Sequence, residues 1–318
     1  MTRESRIAIL GVGMMGPGIA ACSALAGHPT VLIGRDPERA AHGVDAACAN
    51  IKQLSEHDLV DAGRAEEGVA LISGSSDFAG SCKAASLIIE AVSEDLLLKQ
   101  KIFKEIDDAA PPGTIITSNT SGLRITDIAR LAANKERVAT THFWYPGHLV
   151  PLVEIVMSEH TREEVAEELY RLLDSWRKAP VIVRRDLPGQ LANRILQAVI
   201  REAVNIVQSG LATAADVDTA IKMGMGIRFP VWGPLEHIDA VGLDLALSVQ
   251  KDVLPGLNNR AEPPKLLEDL VTSGSLGHKS GKGMYDWSAK DMDRLKARRD
   301  RFIIQSLKHL REESSNGR

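Results

Sequence analysis

The chain has 318 residues, 44% hydrophobic and 25% charged, a composition typical of a soluble globular protein long enough for two domains. Its 38 basic and 42 acidic side chains give a net charge of −4, which argues against nucleic acid or an anionic membrane as the main partner. The 3 cysteines form no CxxC or Cys/His cluster, so they indicate neither a disulfide framework nor a zinc site. We therefore expect a protein of the cytoplasm or another reducing compartment, with no metal and no membrane segment.

Short apolar runs in the first part of the chain have the length and composition of buried parallel strands. They are residues 6–10, 29–33, 87–92, 114–118 and 137–141. Amphipathic segments separate these runs, so the pattern predicts a doubly wound α/β sheet of the Rossmann type. After Pro188 the periodicity becomes helical, at residues 193–208, 214–223, 243–254 and 289–310. We therefore predict a nucleotide-binding domain over residues 1–186 and an all-helical domain over residues 187–318.

The first predicted strand leads into a glycine-rich turn, Gly11-Val12-Gly13-Met14-Met15-Gly16, and then into a helical segment. A GxGxxG motif in this context is typical of dinucleotide binding. Gly11 permits the tight turn, Gly13 lets the backbone approach a pyrophosphate, and Gly16 lets the helix pack closely on the strand. We expect the whole turn, Met14 and Met15 included, to bind the cofactor. The alternative is a glycine-rich turn that holds no ligand.

The end of the second predicted strand bears on the choice between NAD and NADP. NAD enzymes usually carry an acidic residue there, which accepts hydrogen bonds from the adenine ribose. Here the strand ends in Gly34-Arg35-Asp36, so glycine stands at the acidic position and Arg35 follows it. Because an arginine suits a 2′-phosphate, this sequence favours NADP. NAD is the alternative, if Asp36 turns toward the ribose.

Further motifs follow this turn in a fixed order. They are residues 90–94 with Lys99, residues 118–121, 142–146 and 151–154, Pro188-Gly189 with Asn193-Arg194, and residues 233–236 and 281–285. Together with the Gly11 turn, the ordered set resembles the 3-hydroxyacyl-CoA dehydrogenase family over nearly the whole chain. The resemblance implies a nicotinamide-binding Rossmann domain and a helical domain that forms the homodimer interface in the family.

The resemblance also implies a His–Glu catalytic pair, and His142 and Glu154 stand at the matching positions. His142 is expected to be the general acid/base, because an imidazole gains and loses a proton near neutral pH. Glu154 is expected to orient the ring, and Pro146, Gly147 and Pro151 allow the chain to turn between the two. Without the resemblance, a single histidine is more often structural, although His142 lies at a strand end, the usual ligand edge of such a sheet.

Other site residues are implied in the same way. Ser121 is expected to hold the substrate oxygen, and Asn193 to add a second polar contact. Glu94 and Lys99 resemble the family's contacts to the nicotinamide ribose, and Asn119 is assigned to the same cofactor site. The structural alternatives are a helix N-cap for Ser121, a solvent-facing amide for Asn193 and a surface ion pair for Glu94 and Lys99.

Three departures from the family pattern bear on the substrate. Tyr145 replaces the usual asparagine in His-x-x-Asn-Pro, and it either closes the pocket, donates a proton or packs internally. Lys52 and Arg64 are the only lysine or arginine residues in 40–78, a region that is more basic in the CoA enzymes, so CoA is disfavoured. Arg228 lies in a segment that resembles the branch acting on free hydroxy acids, such as gulonate and carnitine dehydrogenases. It is predicted to bind a carboxylate, with an interdomain or intersubunit salt bridge as the alternative.

The sequence thus predicts an NAD(P)-dependent dehydrogenase of a small 3-hydroxy or 3-oxo carboxylate or related carbonyl compound. Residues 146–151 also resemble the dehydrogenase of vitamin B6 catabolism, which fits this substrate class. The alternatives are a 3-hydroxyacyl-CoA dehydrogenase proper, a reductase of C=N bonds, and a non-catalytic protein that binds NAD(P)H or has a structural role. A homodimer formed through the helical domain is expected.

Overall fold

The computed structural model describes residue 1 and residues 5–316, with side chains described up to residue 312. The chain divides into two compact units, Met1–Asn193 with Lys296–Arg318, and Arg194–Leu295. The sequence predicts one boundary, between residues 186 and 187. The structure differs because the C-terminal helix from Lys296 onward packs within the first unit. No helix in the described part of the chain is both long and apolar enough to cross a membrane.

The first unit is built on one eight-stranded sheet with the strand order β3-β2-β1-β4-β5-β6-β7-β8. The strands are β1 (Ile7–Leu10), β2 (Thr30–Ile33), β3 (Ile72–Ser75), β4 (Leu87–Glu90), β5 (Ile115–Ser118), β6 (Val138–Phe143), β7 (Leu152–Met157) and β8 (Ala179–Val183). Strands β1 to β6 are parallel, β7 runs antiparallel to β6, and β8 runs parallel to β7. The five predicted strands are present, and the predicted Rossmann-type class is confirmed.

Helices cover both faces of this sheet. They are α1 (Gly16–Leu25), α2 (Pro37–Glu56), α3 (Ala62–Ala70), α4 (Phe78–Lys83), α5 (Leu96–Ala109), α6 (Ile125–Ile128) and α7 (Glu163–Ser175). Ile7 and Ile9 face one core layer with α1, α2 and α7, while Ala8 faces the other with α5 and α6. Because successive strand residues point to opposite faces, short apolar runs of this kind are buried on both sides.

Aspartates begin four of these helices. Each side chain accepts a hydrogen bond from the backbone N–H three residues later, which satisfies a donor that the helix itself leaves open. These residues are Asp36, Asp61, Asp77 and Asp95, at the starts of α2, α3, α4 and α5. The polar residues between the apolar runs therefore fix where the helices start.

The second unit is helical. Its elements are α8 (Ala192–Gln208), which begins in the first unit, α9 (Ala214–Ala220), α10 (Pro234–Val241), α11 (Leu243–Val253), α12 (Lys265–Thr272) and the first residues of α13 (Met292–Asn316). Val217 is the only buried residue in the described range 194–295. Large apolar side chains such as Val231, Leu235 and Leu243 are exposed. This unit therefore has almost no hydrophobic core of its own within one chain.

Candidate active site

The glycine-rich turn joins β1 to α1 at the carboxyl edge of the sheet. Gly11 has a φ of +116°, and a Cβ there would lie 2.6 Å from the Ala91 carbonyl oxygen, so only glycine fits. A Cβ on Gly16 would lie 1.9 Å from the Gly11 carbonyl oxygen, whereas a Cβ on Gly13 would meet nothing within 4 Å. The open space at Gly13 and the start of α1 behind it fit a pyrophosphate group.

The residues after β2 have distinct surroundings. A Cβ on Gly34 would lie 2.6 Å from the backbone nitrogen of Ala40, which explains why no acidic side chain stands at this position. Asp36 caps α2 by accepting a hydrogen bond of 2.8 Å from the Arg39 N–H, so its carboxylate already has a structural partner. The Arg35 side chain is 73% exposed, with its Nε 3.5 Å from the second Asp36 carboxylate oxygen.

His142 and Glu154 face each other directly across two antiparallel strands. His142 is near the end of β6, Glu154 is in β7, and the strand register pairs the two residues. Side chains at directly opposed positions lie on the same face of a sheet, within reach of each other. His142 Nδ1 lies 2.7 Å from Glu154 Oε2, and both side chains are buried. The structure thus brings together the two residues of the predicted catalytic pair.

Glu154 is buried with several hydrogen-bond donors around it. Besides His142, it accepts hydrogen bonds from Trp144 Nε1 at 3.0 Å and from the backbone N–H groups of Leu191 at 3.0 Å and Ala192 at 2.8 Å. Burial raises the pKa of the Glu154 carboxyl, but hydrogen bonds from His142, Ala192, Trp144 and Leu191 outweigh it and lower the pKa to about 2. Glu154 is therefore an anion, and His142 Nδ1 must be the donor in their contact. His142 Nε2 is then the ring nitrogen that does not face Glu154.

Lys99 is buried, with only 1% of its side chain exposed, and it does not form the surface pair considered above. Its Nζ donates to Glu90 Oε1 at 2.7 Å and lies 3.4 Å from Glu94 Oε2. Glu90 in turn accepts a hydrogen bond of 2.6 Å from the Ser118 hydroxyl. Glu90 belongs to a motif visible in the sequence, but its role as the buried partner of Lys99 was not predicted.

Glu94 ties the end of β4 to the segment after β5. Its Oε1 accepts hydrogen bonds from the Thr120 hydroxyl at 2.5 Å and from the N–H groups of Ser121 at 3.1 Å and Gly122 at 3.2 Å. Burial raises the pKa of Glu94, but the bond from Thr120 and the charge of Lys99 outweigh it, so the pKa is lowered. Glu94 is therefore a partly exposed carboxylate held in place beside Ser121.

The predicted polar contacts Ser121, Asn119 and Asn193 belong to the same unit as His142. Asn193 Nδ2 donates to the Ser121 carbonyl oxygen at 3.1 Å. Asn119 Oδ1 accepts a hydrogen bond of 2.8 Å from the Phe143 N–H, which joins the ends of β5 and β6. The side-chain oxygen of Asn119 therefore holds the end of the strand that carries His142.

Two residues assigned to the substrate lie in different units. Tyr145 is 46% exposed, and the Arg299 guanidinium of α13 lies 5.0 Å from the centre of its ring. The basic residues 294–301 are interspersed in a helical pattern, which predicts a solvated helix face for Arg299, so this contact was missed. Arg228 lies in the second unit, where its Nε donates to the Gly224 carbonyl oxygen at 3.2 Å.

Met14, in the glycine turn, is largely exposed.

The three cysteines are free thiols. Within the part of the chain that the structure describes, no group of three histidine, cysteine, aspartate or glutamate side chains is arranged to hold a metal ion.

Comparison with known families assigns this arrangement. The family model for the 3-hydroxyacyl-CoA dehydrogenase NAD-binding domain matches residues 6–187, and the model for the C-terminal domain of the same enzymes matches residues 189–287. The chain belongs to the 3-hydroxyacyl-CoA dehydrogenase family. It is a nicotinamide-dependent dehydrogenase, in agreement with the sequence prediction. Helix α13 lies entirely beyond the matched region.

Two relatives show the range of substrates in this family. The 5-formyl-3-hydroxy-2-methylpyridine 4-carboxylate 5-dehydrogenase of Mesorhizobium japonicum is 31% identical over 301 residues, covering 94% of this chain and 96% of the relative. A probable 3-hydroxybutyryl-CoA dehydrogenase of Bacillus subtilis is 35% identical, covering 90% of this chain and 98% of the relative.

Solved structures of the same two kinds of enzyme also match this chain. The structure of a 5-formyl-3-hydroxy-2-methylpyridine 4-carboxylic acid 5-dehydrogenase, described as an NAD+ dependent dismutase, matches with a TM-score of 0.89 and 30% identity. It covers 97% of this chain, and the match spans 99% of that structure. A 3-hydroxybutyryl-CoA dehydrogenase from Ralstonia eutropha matches with a TM-score of 0.75 and 31% identity, over 90% of this chain and 99% of that structure.

Proposed function

We propose that the protein transfers a hydride between a nicotinamide cofactor and a small 3-hydroxy or 3-oxo carboxylate or related carbonyl compound. The contact of 2.7 Å between His142 Nδ1 and Glu154 Oε2, at the carboxyl edge of the sheet, is the observation that carries this proposal. It leaves His142 Nε2 as the acid/base, at the same carboxyl edge of the sheet as the dinucleotide-binding turn.

The reaction follows from these roles. In oxidation, His142 Nε2 takes the proton of the substrate hydroxyl while the hydride leaves the same carbon, so that a carbonyl forms. In reduction, His142 returns that proton to the oxygen. The nicotinamide, when bound, accepts or supplies the hydride. Glu154 keeps the ring oriented and stabilises its positive charge in the intermediate state.

Polar groups around the pair hold the reactants. We assign the Ser121 hydroxyl and the Asn193 amide to the substrate oxygen. The Asn193 side chain already donates a hydrogen bond to the backbone carbonyl of Ser121, so the two residues lie side by side. Glu94, an oriented carboxylate backed by Lys99, is suited to accept hydrogen bonds from the nicotinamide ribose. Such fixed contacts contribute mainly by holding the two reacting carbons in line.

NADP is the cofactor form that the residues after β2 favour. Arg35 is exposed and its guanidinium suits a 2′-phosphate, while Asp36 is engaged in capping α2. We expect a higher kcat/KM with NADPH than with NADH, and Arg35→Ala is expected to reverse the preference. Equal or better turnover with NADH by the unmodified protein would contradict this assignment; the pyridine-carboxylate relative is itself described as NAD+ dependent.

A free carboxylate is the substrate class that the departures from the family favour. Arg228 is proposed to bind the carboxylate, and Tyr145 to shape the pocket beside His142. The pyridine-carboxylate relative matches almost end to end, and its name describes a formyl substrate that carries a carboxylate. Residues 40–78 carry few cations to attract the phosphates of CoA.

The test is a cofactor-oxidation assay with NADPH and NADH against small 3-oxo acids, a formylpyridine carboxylate, acetoacetyl-CoA and a cyclic imine. Turnover of a free acid, lost in His142→Gln but with cofactor affinity retained, is the expected result. Turnover of acetoacetyl-CoA alone would assign the protein to the CoA enzymes. Unchanged turnover in His142→Gln would refute the role of the pair.

A homodimer is proposed from the composition of the second unit. Its range 194–295 buries only Val217, and exposed apolar surface of this extent is typical of an interface. We expect light scattering to give twice the chain mass of 34.4 kDa. A monomer at micromolar concentration would contradict the proposal. The protein is proposed to act in the cytoplasm, which fits its free cysteines.

A further inference from the structure

The segment 190–193, which leads into α8, is hydrogen-bonded to the residues after β5. All of it belongs to the first unit. At one end, the Gln190 amide donates to the Thr120 carbonyl oxygen at 2.8 Å. At the other end, the Asn193 amide donates to the Ser121 carbonyl oxygen at 3.1 Å. Two side-chain amides therefore fasten this segment to two consecutive carbonyl groups of the candidate active site.

The middle of this segment orients the Glu154 carboxylate. The N–H groups of Leu191 and Ala192 donate to Glu154 Oε1 at 3.0 Å and 2.8 Å. The other oxygen, Oε2, faces His142 Nδ1 and Trp144 Nε1. Because each carboxylate oxygen has its own pair of donors, the two backbone N–H groups fix the rotation that points Oε2 at the imidazole.

Gln190 has an unusual backbone conformation for its residue type. Its φ is +55°, in the left-handed region that residues other than glycine rarely adopt. It follows Gly189, whose φ is +80°. The N–H groups of the next two residues both point at Glu154, an arrangement typical of backbone turns that hold an anion. The conformation of Gln190 is therefore part of the turn that holds this carboxylate.

The side chain of Gln190 is buried at a cost to the stability of the fold. It is only 5% exposed, and its Oε1 has no hydrogen-bond partner among the described residues. Buried acceptors are almost always paired, because leaving water without a new partner costs free energy. An apolar side chain of the same length would avoid this cost, and glycine would avoid the strain of the left-handed conformation. Residues kept at such a cost cluster at functional sites.

We propose that Gln190 is a positioning residue for the hydride transfer, an inference that rests on the proposed function. Its amide, bonded to the Thr120 carbonyl, fixes the turn that aims two backbone N–H groups at Glu154. Glu154 is thereby kept turned toward His142. The same hydrogen bond ties this turn to the residue next to Ser121, so the substrate oxygen and the acid/base are held in one frame.

The experiment compares two buried glutamines, with the same substrates as in the test of the proposed function. Gln190→Met keeps the length of the side chain and removes both amide groups. We expect kcat to fall about ten- to a hundredfold, with KM for the nicotinamide cofactor unchanged and Tm not lowered. Gln190→Gly, which adopts the left-handed conformation without strain, is expected to lose kcat to the same extent.

Gln100→Met is the matched control. Gln100 is buried in α5, and its amide donates to the Asp127 carbonyl oxygen at 2.8 Å. This bond resembles that of Gln190 but has no connection to Glu154. Its loss is therefore expected to lower Tm and to leave kcat unchanged.

A second measurement needs no turnover. The nitrogen NMR signals of the His142 ring, assigned by their loss in His142→Gln, report which ring nitrogen carries the proton. With the ring neutral, we expect the proton on Nδ1 in the unmodified protein, because that atom faces the Glu154 carboxylate. In Gln190→Met we expect a mixture of the two tautomers, and in Gln100→Met the unmodified pattern.

The outcomes separate this inference from the proposed function. Turnover that survives in His142→Gln refutes the proposed function. If His142→Gln is inactive while Gln190→Met keeps kcat within about threefold and shows unmodified His142 signals, only the role of Gln190 is refuted. An equal loss of kcat in Gln190→Met and Gln100→Met would also overturn that role, since both losses would then reflect a weakened fold.

Discussion

Replacing Glu154 by glutamine changes the charge of the proposed catalytic pair with almost no change in side-chain shape. The carboxylate accepts hydrogen bonds from His142, Trp144, Leu191 and Ala192. Glutamine offers only one oxygen as an acceptor, and its NH2 group would face at least one of these donors. Glu154→Gln therefore loses the negative charge beside His142 and leaves a buried donor unpaired.

The structure gives a magnitude for this loss. The pKa of Glu154 falls from 4.5 to about 2, which at roughly 1.4 kcal/mol for each pH unit corresponds to about 3 kcal/mol in favour of the charged form. Because the pKa is lower in the folded protein, this stabilisation is present above about pH 4.5 and is lost as the pH falls through about 2. The difference in free energy of unfolding between the two proteins should therefore narrow as the pH is lowered below 4.5.

The main expected effect of Glu154→Gln is on the turnover number, kcat. Without the carboxylate the imidazole is no longer held in the correct orientation and tautomer, so we expect kcat to drop by about 10²- to 10⁴-fold. Steady-state kcat, cofactor affinity by fluorescence and urea unfolding are the measurements. Glu167→Gln, on the exposed face of α7, is the matched control.

One combination of results would refute this reasoning. If Glu154→Gln kept kcat within tenfold of the unmodified protein and unfolded at the same urea concentration, the carboxylate would be neither orienting His142 nor stabilising the fold. A loss of cofactor affinity equal to the loss in kcat would place Glu154 in the cofactor site instead.

Three further substitutions test other parts of the site. Lys99→Met leaves the buried Glu90 carboxylate without the ammonium group that lies 2.7 Å from it. The substitution should lower the free energy of unfolding by about 3–5 kcal/mol. An unchanged midpoint of urea unfolding would contradict the buried ion pair. Gly11→Ala, with its Cβ 2.6 Å from the Ala91 carbonyl oxygen, should cost about 1–3 kcal/mol, measured by thermal unfolding. Gly13→Ala has room for its Cβ, so the free energy of unfolding should change by less than about 0.5 kcal/mol. Cofactor titration should show about tenfold weaker binding. Unchanged cofactor affinity would contradict the assignment of the pyrophosphate to this turn.

Much of the first unit could be predicted because its signals are local. Continuous apolar runs gave the five parallel strands β1, β2, β4, β5 and β6, and the glycine spacing gave the turn after β1. Strand β7 was missed, since Glu154 interrupts its apolar run with a buried carboxylate. Pro180 similarly obscures β8, and β3 is a short edge strand of small polar residues.

Long-range contacts set the limit of the sequence prediction. Lys99 is polar and near a helix start, so nothing local distinguishes it from a surface residue; its burial depends on Glu90 from another element. The apolar stripe of α13 is visible in the sequence, but periodicity does not tell which unit it faces. Arg299 was therefore predicted as solvated, whereas the structure places its guanidinium over the Tyr145 ring.

The pairing of His142 with Glu154 across two neighbouring strands has an evolutionary consequence. Their separation is set by the hydrogen-bonded ladder of β6 and β7, not by the segment that joins these strands. Replacements at an exposed position of that segment can therefore occur without separating the proposed acid/base from its orienting partner. Tyr145 is 46% exposed, so a change of substrate range can arise at this position while the His142–Glu154 contact is kept.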